Sequence, residues 1–212
     1  MDRIINKLIT HFGNFAEERY SDEEKHKIEK LVEEGQKPPV FVICCCDSRS
    51  GPEVLFQSDL GDMFVQRHIA AYVPPHQFHE HNYSISAAIE FAVDALKVKH
   101  IIVMGHTSCG GVACLCQESY KKDSNIARWV TQAKLPLELV RQKHQDASED
   151  QLISIMEKET VKWSLENLKE YPSVIQAIQE RGLQIHGWQY DLKEGIIHAY
   201  DADQDRFTEL TA

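Results

Sequence analysis

The amino-acid sequence reads as an α/β protein: a mostly parallel central β-sheet flanked by helices, with an N-terminal helical arm. Two continuous apolar runs, residues 40–45 and 100–105, have the look of strands buried on both faces. A helical pattern lies between them, and strand–helix–strand order of this kind favours parallel pairing with helices on the sheet faces. An amphipathic stretch precedes the first run and is cut off from it by Gly35 and Lys37-Pro38-Pro39.

Residues 1–35 are expected to be helical. Ser21 and Glu24 have capping-box spacing, Ile28, Leu31 and Val32 form one apolar stripe, and Gly35 marks the stop. Pro38-Pro39 cannot continue a helix. Val40-Phe41-Val42-Ile43-Cys44-Cys45 is the first strand, and Met63-Phe64-Val65 is a shorter one. Residues 82–96 place Ile85, Ala88, Ile89, Ala92 and Val93 on one helical face. His100 to Gly105 is the next strand, with a helix expected after Gly110-Gly111. Residues 124–180 are charged and largely helical, with interruptions expected at Pro136 and Pro172. Two late strands, residues 183–188 and 196–199, flank the turn signal Lys193-Glu194-Gly195. Repeats and linkers are absent, so residues 1–212 read as one domain with 1–35 as its arm.

Composition narrows the function. Hydrophobic residues are 42% and charged residues 26% of the chain, ordinary for a globular protein. The net charge of −10 argues against a nucleic-acid partner, which needs clustered Lys and Arg. No apolar run approaches the roughly 20 residues that span a bilayer, and the alternating start lacks a secretory signal pattern. Six cysteines in two groups make a poor disulfide scaffold. The expectation is a reducing compartment, the cytoplasm, with the thiols kept for metal binding or packing.

Two polar clusters stand at the C-terminal ends of expected buried strands: Cys45-Cys46-Asp47-Ser48-Arg49 and His106-Thr107-Ser108-Cys109. Sites in open α/β sheets form at such ends. Meeting there, Cys45, His106 and Cys109 would offer zinc three protein ligands and one open position. Side chains alternate along a strand, so Cys45 shares a side with Asp47, while Cys44 and Cys46 face the core or a neighbour as small hydrophobes. Spacing alone leaves the alternative open: packing thiols, a core histidine and an Asp-Arg ion pair in a turn.

Cys45-x-Asp47-Ser48-Arg49, followed some sixty residues on by His106-x-x-Cys109-Gly110-Gly111, resembles the signature of the β-carbonic anhydrases. Gly61-Asp62-Met63-Phe64-Val65-x-Arg67, Val73-Pro74-Pro75, residues 86–92, Ser164-Leu165-x-Asn167-Leu168 and His186-Gly187-Trp188 extend the likeness over nearly the whole chain. The resemblance implies reversible hydration of carbon dioxide to bicarbonate and a proton by zinc-bound hydroxide. It implies Zn2+ on Cys45, His106 and Cys109, with Asp47 held by Arg49 and orienting the hydroxide. Asp47 becomes a zinc ligand only in the closed resting state that some relatives adopt. It further implies that Gln36 donates to substrate and that Phe64 lines an apolar wall, both reaching a neighbour's site in a homodimer or dimer of dimers.

Departures from the family are visible too. The usual Arg-Asn-x-Ala-Asn is Arg67-His68-Ile69-Ala70-Ala71 here, so both asparagines are missing. Val42 stands where one subtype carries a Trp that serves an inhibitory bicarbonate site, which places this chain with the plant-like subtype and without that site. His68 and the loop histidines His76, His79 and His81 are open to two readings, proton carriers or plain loop residues. The alternatives to carbon dioxide hydration are hydrolysis of carbon disulfide or carbonyl sulfide on the same zinc, and a non-catalytic zinc- or bicarbonate-binding relative.

Overall fold

The computed structural model describes residues 2–77 and 83–211. They fall into two compact units, Met1–Lys37 and Pro38–Ala212. The first holds α1 (Arg3–Arg19) and α2 (Asp22–Glu33), so the helical arm is two helices. The break is at Tyr20-Ser21. Ser21 is the N-cap of α2, and its hydroxyl donates back to the Glu18 carbonyl (3.0 Å); the Glu24 side chain of the expected capping box lies outside the described residues. α1 buries none of its residues, and Ile4, Leu8 and Phe12 form an exposed apolar stripe one turn apart.

The second unit is built on one sheet in the order β2-β1-β3-β4-β5-β6. Its strands are β1 (Val40–Cys45), β2 (Met63–His68), β3 (His100–His106), β4 (Gln184–Tyr190), β5 (Ile197–Asp201) and β6 (Arg206–Glu209). β2, β1, β3 and β4 run parallel, and β5 and β6 add an antiparallel edge. The mostly parallel sheet expected from the apolar runs is therefore present. β2 extends three residues beyond the expected Val65, and β6 was not foreseen.

Helices cover the sheet. They are α3 (Pro52–Leu55), α4 (Tyr83–Glu90), α5 (Gly110–Cys116), α6 (Asn125–Val130), α7 (Lys134–Lys143), α8 (Glu149–Leu168) and α9 (Pro172–Arg181). The pattern read over 82–96 is α4 continued by a π-turn, Phe91–Ala95; Asn82 lies outside the described residues. Pro136 does not interrupt a helix. It sits in the first turn of α7, where its missing N–H costs nothing, and Pro172 likewise opens α9.

Odd-numbered β1 and β3 residues, Phe41, Ile43, Ile101 and Val103, pack under α4, α8 and α9 through Ile89, Val161, Leu165 and Val174. Even-numbered Val42, Cys44, Ile102 and Met104 form the opposite face with Phe56 and Trp188. Each fully buried side chain of this size contributes about 1.5–3 kcal/mol. α8 comes close to the sheet because two strand positions lack a side chain. A Cβ at Gly105 would stand 2.7 Å from Val161 Cγ2, and one at Gly187 2.7 Å from Leu165 Cδ1. No helix among the described residues is long and apolar enough to cross a membrane.

Candidate metal centre

β1 and β3 end side by side, with Cys44 opposite Met104 in the register. Alternation along β1 sends Cys44 into the Val42–Met104 face and Cys45 into the cluster that contains Cys109 and Val112. His106 is the last residue of β3, and Cys109 is the N-cap of α5. The ligand atoms of Cys45, His106 and Cys109 lie within 4.8 Å of one another, and all three residues are buried. Cys46, expected to face the core or a neighbour, is exposed in the single chain. β1 has ended there, and the chain turns outward after the Cys46 N–H bonds the His68 carbonyl (3.2 Å).

The donor set fits a zinc ion. His106 Nδ1–H donates to the Thr107 carbonyl (2.8 Å), which leaves Nε2 carrying the lone pair. That Nε2 is buried and has no hydrogen-bond partner. The Cys45 thiol is pushed well below its ordinary value, chiefly by the Cys109 thiol beside it, and Cys109 is pushed up by the same contact and by burial. Two cysteines and an imidazole suit zinc, and three protein donors leave a fourth position open.

Asp47 borders this group. Arg49 donates through Nε to Asp47 Oδ1 (2.9 Å) and through Nη2 to Oδ2 (2.7 Å), and the Arg49 backbone N–H adds a bond to Oδ1 (2.9 Å). The guanidinium holds the Asp47 carboxyl well below the usual carboxylate range. Arg49 Nη2 also donates to the Ser108 carbonyl (3.2 Å), which ties the loop after β1 to the loop after β3. Asp47 Oδ2 is 3.9 Å from His106 Nε2, committed to Arg49 rather than grouped with the three donors. A cavity of about 890 Å³ lined by Tyr72, Trp129 and Trp163 holds none of these residues, so donor chemistry and not cavity size locates the site.

A family model described as carbonic anhydrase matches residues 40–197. The chain belongs to the carbonic anhydrase family. Its relatives are of the β class. It is 30% identical to the solved β-carbonic anhydrase CcaA, with a TM-score of 0.91 over 100% of this chain and 94% of that one. It is 34% identical to a carbonic anhydrase of Synechococcus elongatus, covering 91% of this chain and 70% of the relative. A carbonic anhydrase of Pseudomonas aeruginosa is 31% identical over 97% and 92% of the two chains. Tetrameric β-carbonic anhydrases of Sordaria macrospora match at a TM-score of 0.78 and 29% identity, covering 100% of this chain and 98% of theirs.

Residues the β-carbonic anhydrase resemblance left without a role now have one. Arg67 donates through Nε to the Cys45 carbonyl (2.9 Å) and through Nη2 to the Asp47 carbonyl (2.7 Å), fixing the loop that carries both. Asn167 Nδ2 donates to the Val73 carbonyl (2.7 Å), and the Val73 N–H donates to Ser164 Oγ (2.9 Å). The Ser164-x-x-Asn167 segment thus anchors the chain just beyond the site. Glu157, unmarked in the sequence reading, accepts the Cys109 N–H at 2.8 Å.

Phe64 is not brought to the cluster by its own chain. Phe64 packs on Phe41 (5.5 Å) and Phe91 (5.8 Å), and Phe41 lies four strand residues, about 13 Å, from Cys45. Gln36 is exposed and precedes the Pro38–Ala212 unit. His68 lies beside the cluster, at the end of β2. Burial holds it down at about 4, and its Nε2 bonds the Tyr72 carbonyl (3.0 Å). His76 stacks edge-on against Tyr171, and His79 and His81 lie outside the described residues.

Where the family carries its second asparagine, Ala71 has a left-handed φ of 54°, and Ala70 before it has 64°. Asn tolerates that conformation and alanine does not, at a cost of about 1–2 kcal/mol per residue. Ala70→Gly is therefore expected to raise the stability of the fold by about 0.5–1 kcal/mol, and thermal unfolding reads it. A lowered transition temperature would contradict the strain.

Proposed function

We propose that this chain hydrates carbon dioxide reversibly to bicarbonate and a proton at a zinc ion held by Cys45, His106 and Cys109. The observation that carries the proposal is the buried donor cluster with its unpartnered His106 Nε2, set beside the Asp47–Arg49 pair. Zinc, when bound, supplies a Lewis acid that makes hydroxide available near neutral pH.

The chain's own residues supply the rest. The Thr107 carbonyl fixes the His106 tautomer so that the Nε2 lone pair would be available to hold the ion. Asp47, kept ionised by Arg49, accepts a hydrogen bond from the attacking oxygen and aims its lone pair at the carbon. The bond from Arg49 to the Ser108 carbonyl keeps the aspartate and the Cys109 loop in one frame. Stopped-flow hydration of carbon dioxide by zinc-quantified protein, across pH, tests the reaction. Turnover of carbonyl sulfide without turnover of carbon dioxide would overturn it.

The active form is a homodimer or a dimer of dimers, in which Gln36 and Phe64 of one copy complete the other's site: Gln36 donates to substrate oxygen, and Phe64 gives an apolar wall. Two features support this. Phe64 is remote from its own Cys45, and the stripe on α1 is unburied in a single chain. Removing residues 1–30 is expected to abolish assembly and activity together, since obligate interfaces bury roughly 2,000 Å² or more. Sedimentation velocity with parallel assays reads both, and a fully active monomer would end the shared-site idea. Six free cysteines fit a reducing compartment, and we assign the chain to the cytoplasm.

A further inference from the structure

Glu157 is a carboxylate where the fold provides little water: it is 4% exposed, on the sheet-facing side of α8 between Met156 and Val161. A buried charge is costly unless its oxygens are satisfied. The observed partner of Glu157 is a backbone N–H of the loop after β3, that of Cys109, which donates to Oε1 (2.8 Å). The loop needs such an acceptor. Ser108 has a left-handed φ of 55°, and Cys109 as N-cap of α5 makes no side-chain capping bond. The close approach of α8 to the sheet at Gly105 and Gly187 is what lets a side chain one turn before Val161 reach under that loop.

We propose that Glu157 is a positioning residue of the metal centre. Its carboxylate accepts the Cys109 backbone N–H and so holds Cys109 Sγ in the cluster with Cys45 and His106. The inference rests on the zinc-site reading above. An amide does this work less well: Gln keeps the shape and one acceptor oxygen, but a hydrogen bond to a neutral amide is weaker than the charge-assisted bond to a carboxylate. A clamp of this kind acts on the ligand set, so its removal is read at the metal and not only in turnover. Loss of an outer partner of a metal ligand typically costs 10–100-fold in metal affinity.

The test compares wild type, Glu157→Gln and Glu157→Asp, with Val161→Ala as a helix-packing control that leaves the loop bonds in place. Three quantities are measured: the rate of zinc release to a chromophoric chelator, the thiolate-to-metal absorption of the cobalt(II)-substituted protein, and thermal unfolding of the metal-free chain. Glu157→Gln is expected to release zinc about 10–100-fold faster and to shift the cobalt spectrum. Glu157→Asp, which keeps the charge but falls short of the loop, should move both in the same direction, and it decides the matter if the Gln variant does not fold. Val161→Ala should lower the unfolding temperature and leave release and spectrum unchanged. Wild-type release and spectrum in the Glu157 variants would overturn the clamp while leaving the zinc site standing, as would equal effects from Val161→Ala. A wild-type chain that retains no zinc would overturn the zinc reading and the clamp with it.

Discussion

Replacing Cys45 with serine is expected to strip the chain of zinc and reduce carbon dioxide hydration to background, while Cys46→Ser leaves both at wild-type level. The three adjacent cysteines differ only in where β1 sends them. Cys45 points into the donor cluster, and its thiol is already biased toward the thiolate that zinc requires. A serine hydroxyl stays protonated near neutral pH and is a poor donor for this ion, so one of three ligands is lost. Apparent zinc affinities of about 10–16 kcal/mol in thiolate sites depend on every ligand. Cys46 is exposed, beyond the strand, and a serine there should change stability by no more than about 0.5 kcal/mol. Cys44 is the third case. Burial pushes its thiol up to about 12, so it remains a neutral packing group on the opposite face. Elemental analysis after gel filtration, with stopped-flow assays on the same samples, separates the three. Full zinc in Cys45→Ser would sink the ligand assignment.

The same residues show what a sequence can and cannot announce. β1 and β3 were legible because they are buried on both faces and so read as unbroken apolar runs. β2 was legible only to Val65. Its last residues, Gln66, Arg67 and His68, are polar because Arg67 spends its donors on the Cys45 and Asp47 carbonyls. β6 is four residues long, on an edge, with no apolar run to mark it. The π-turn at Phe91–Ala95 leaves no trace in a 3.6-residue period. The donor triad was legible because ligand chemistry and strand-end position coincide in Cys45, His106 and Cys109. Glu157 was not, because a glutamate in a charged helix reads as solvated. Its signal was available all the same: it shares a buried stripe with Val161, Leu165 and Leu168 at spacings of four, four and three, where a carboxylate has no reason to be unless something is bound to it.

Asp47→Asn is expected to keep zinc at the wild-type level and to lower kcat/KM by roughly a hundredfold, the scale on which misaimed reacting groups lose rate. Asp47 uses both oxygens. Oδ1 takes Arg49 Nε and the Arg49 backbone N–H, and Oδ2 takes Arg49 Nη2 while standing 3.9 Å from His106 Nε2. An asparagine has one oxygen and one amide nitrogen. If the nitrogen faces Arg49, two donors meet and the pair breaks; if it faces the site, the group that should accept a hydrogen bond from the attacking oxygen offers one instead. Either orientation spoils the aim without removing a metal ligand, so zinc content separates this variant from Cys45→Ser. Arg49→Ala should fail by a different route. The guanidinium is the main cause of the depressed Asp47 carboxyl, and it also anchors the Ser108 carbonyl. Without it the aspartate is released at the edge of the donor cluster, free to protonate at higher pH or to occupy the position substrate water needs. The acid limb of the activity profile should then move to higher pH, because a carboxyl whose pKa is no longer held down loses its charge earlier as pH falls. Asp47→Asn has no titrating group at that position and should show no such displacement. Wild-type rates in either variant near neutral pH would remove the pair from the mechanism, and an unmoved acid limb in Arg49→Ala would show that the arginine acts through position alone.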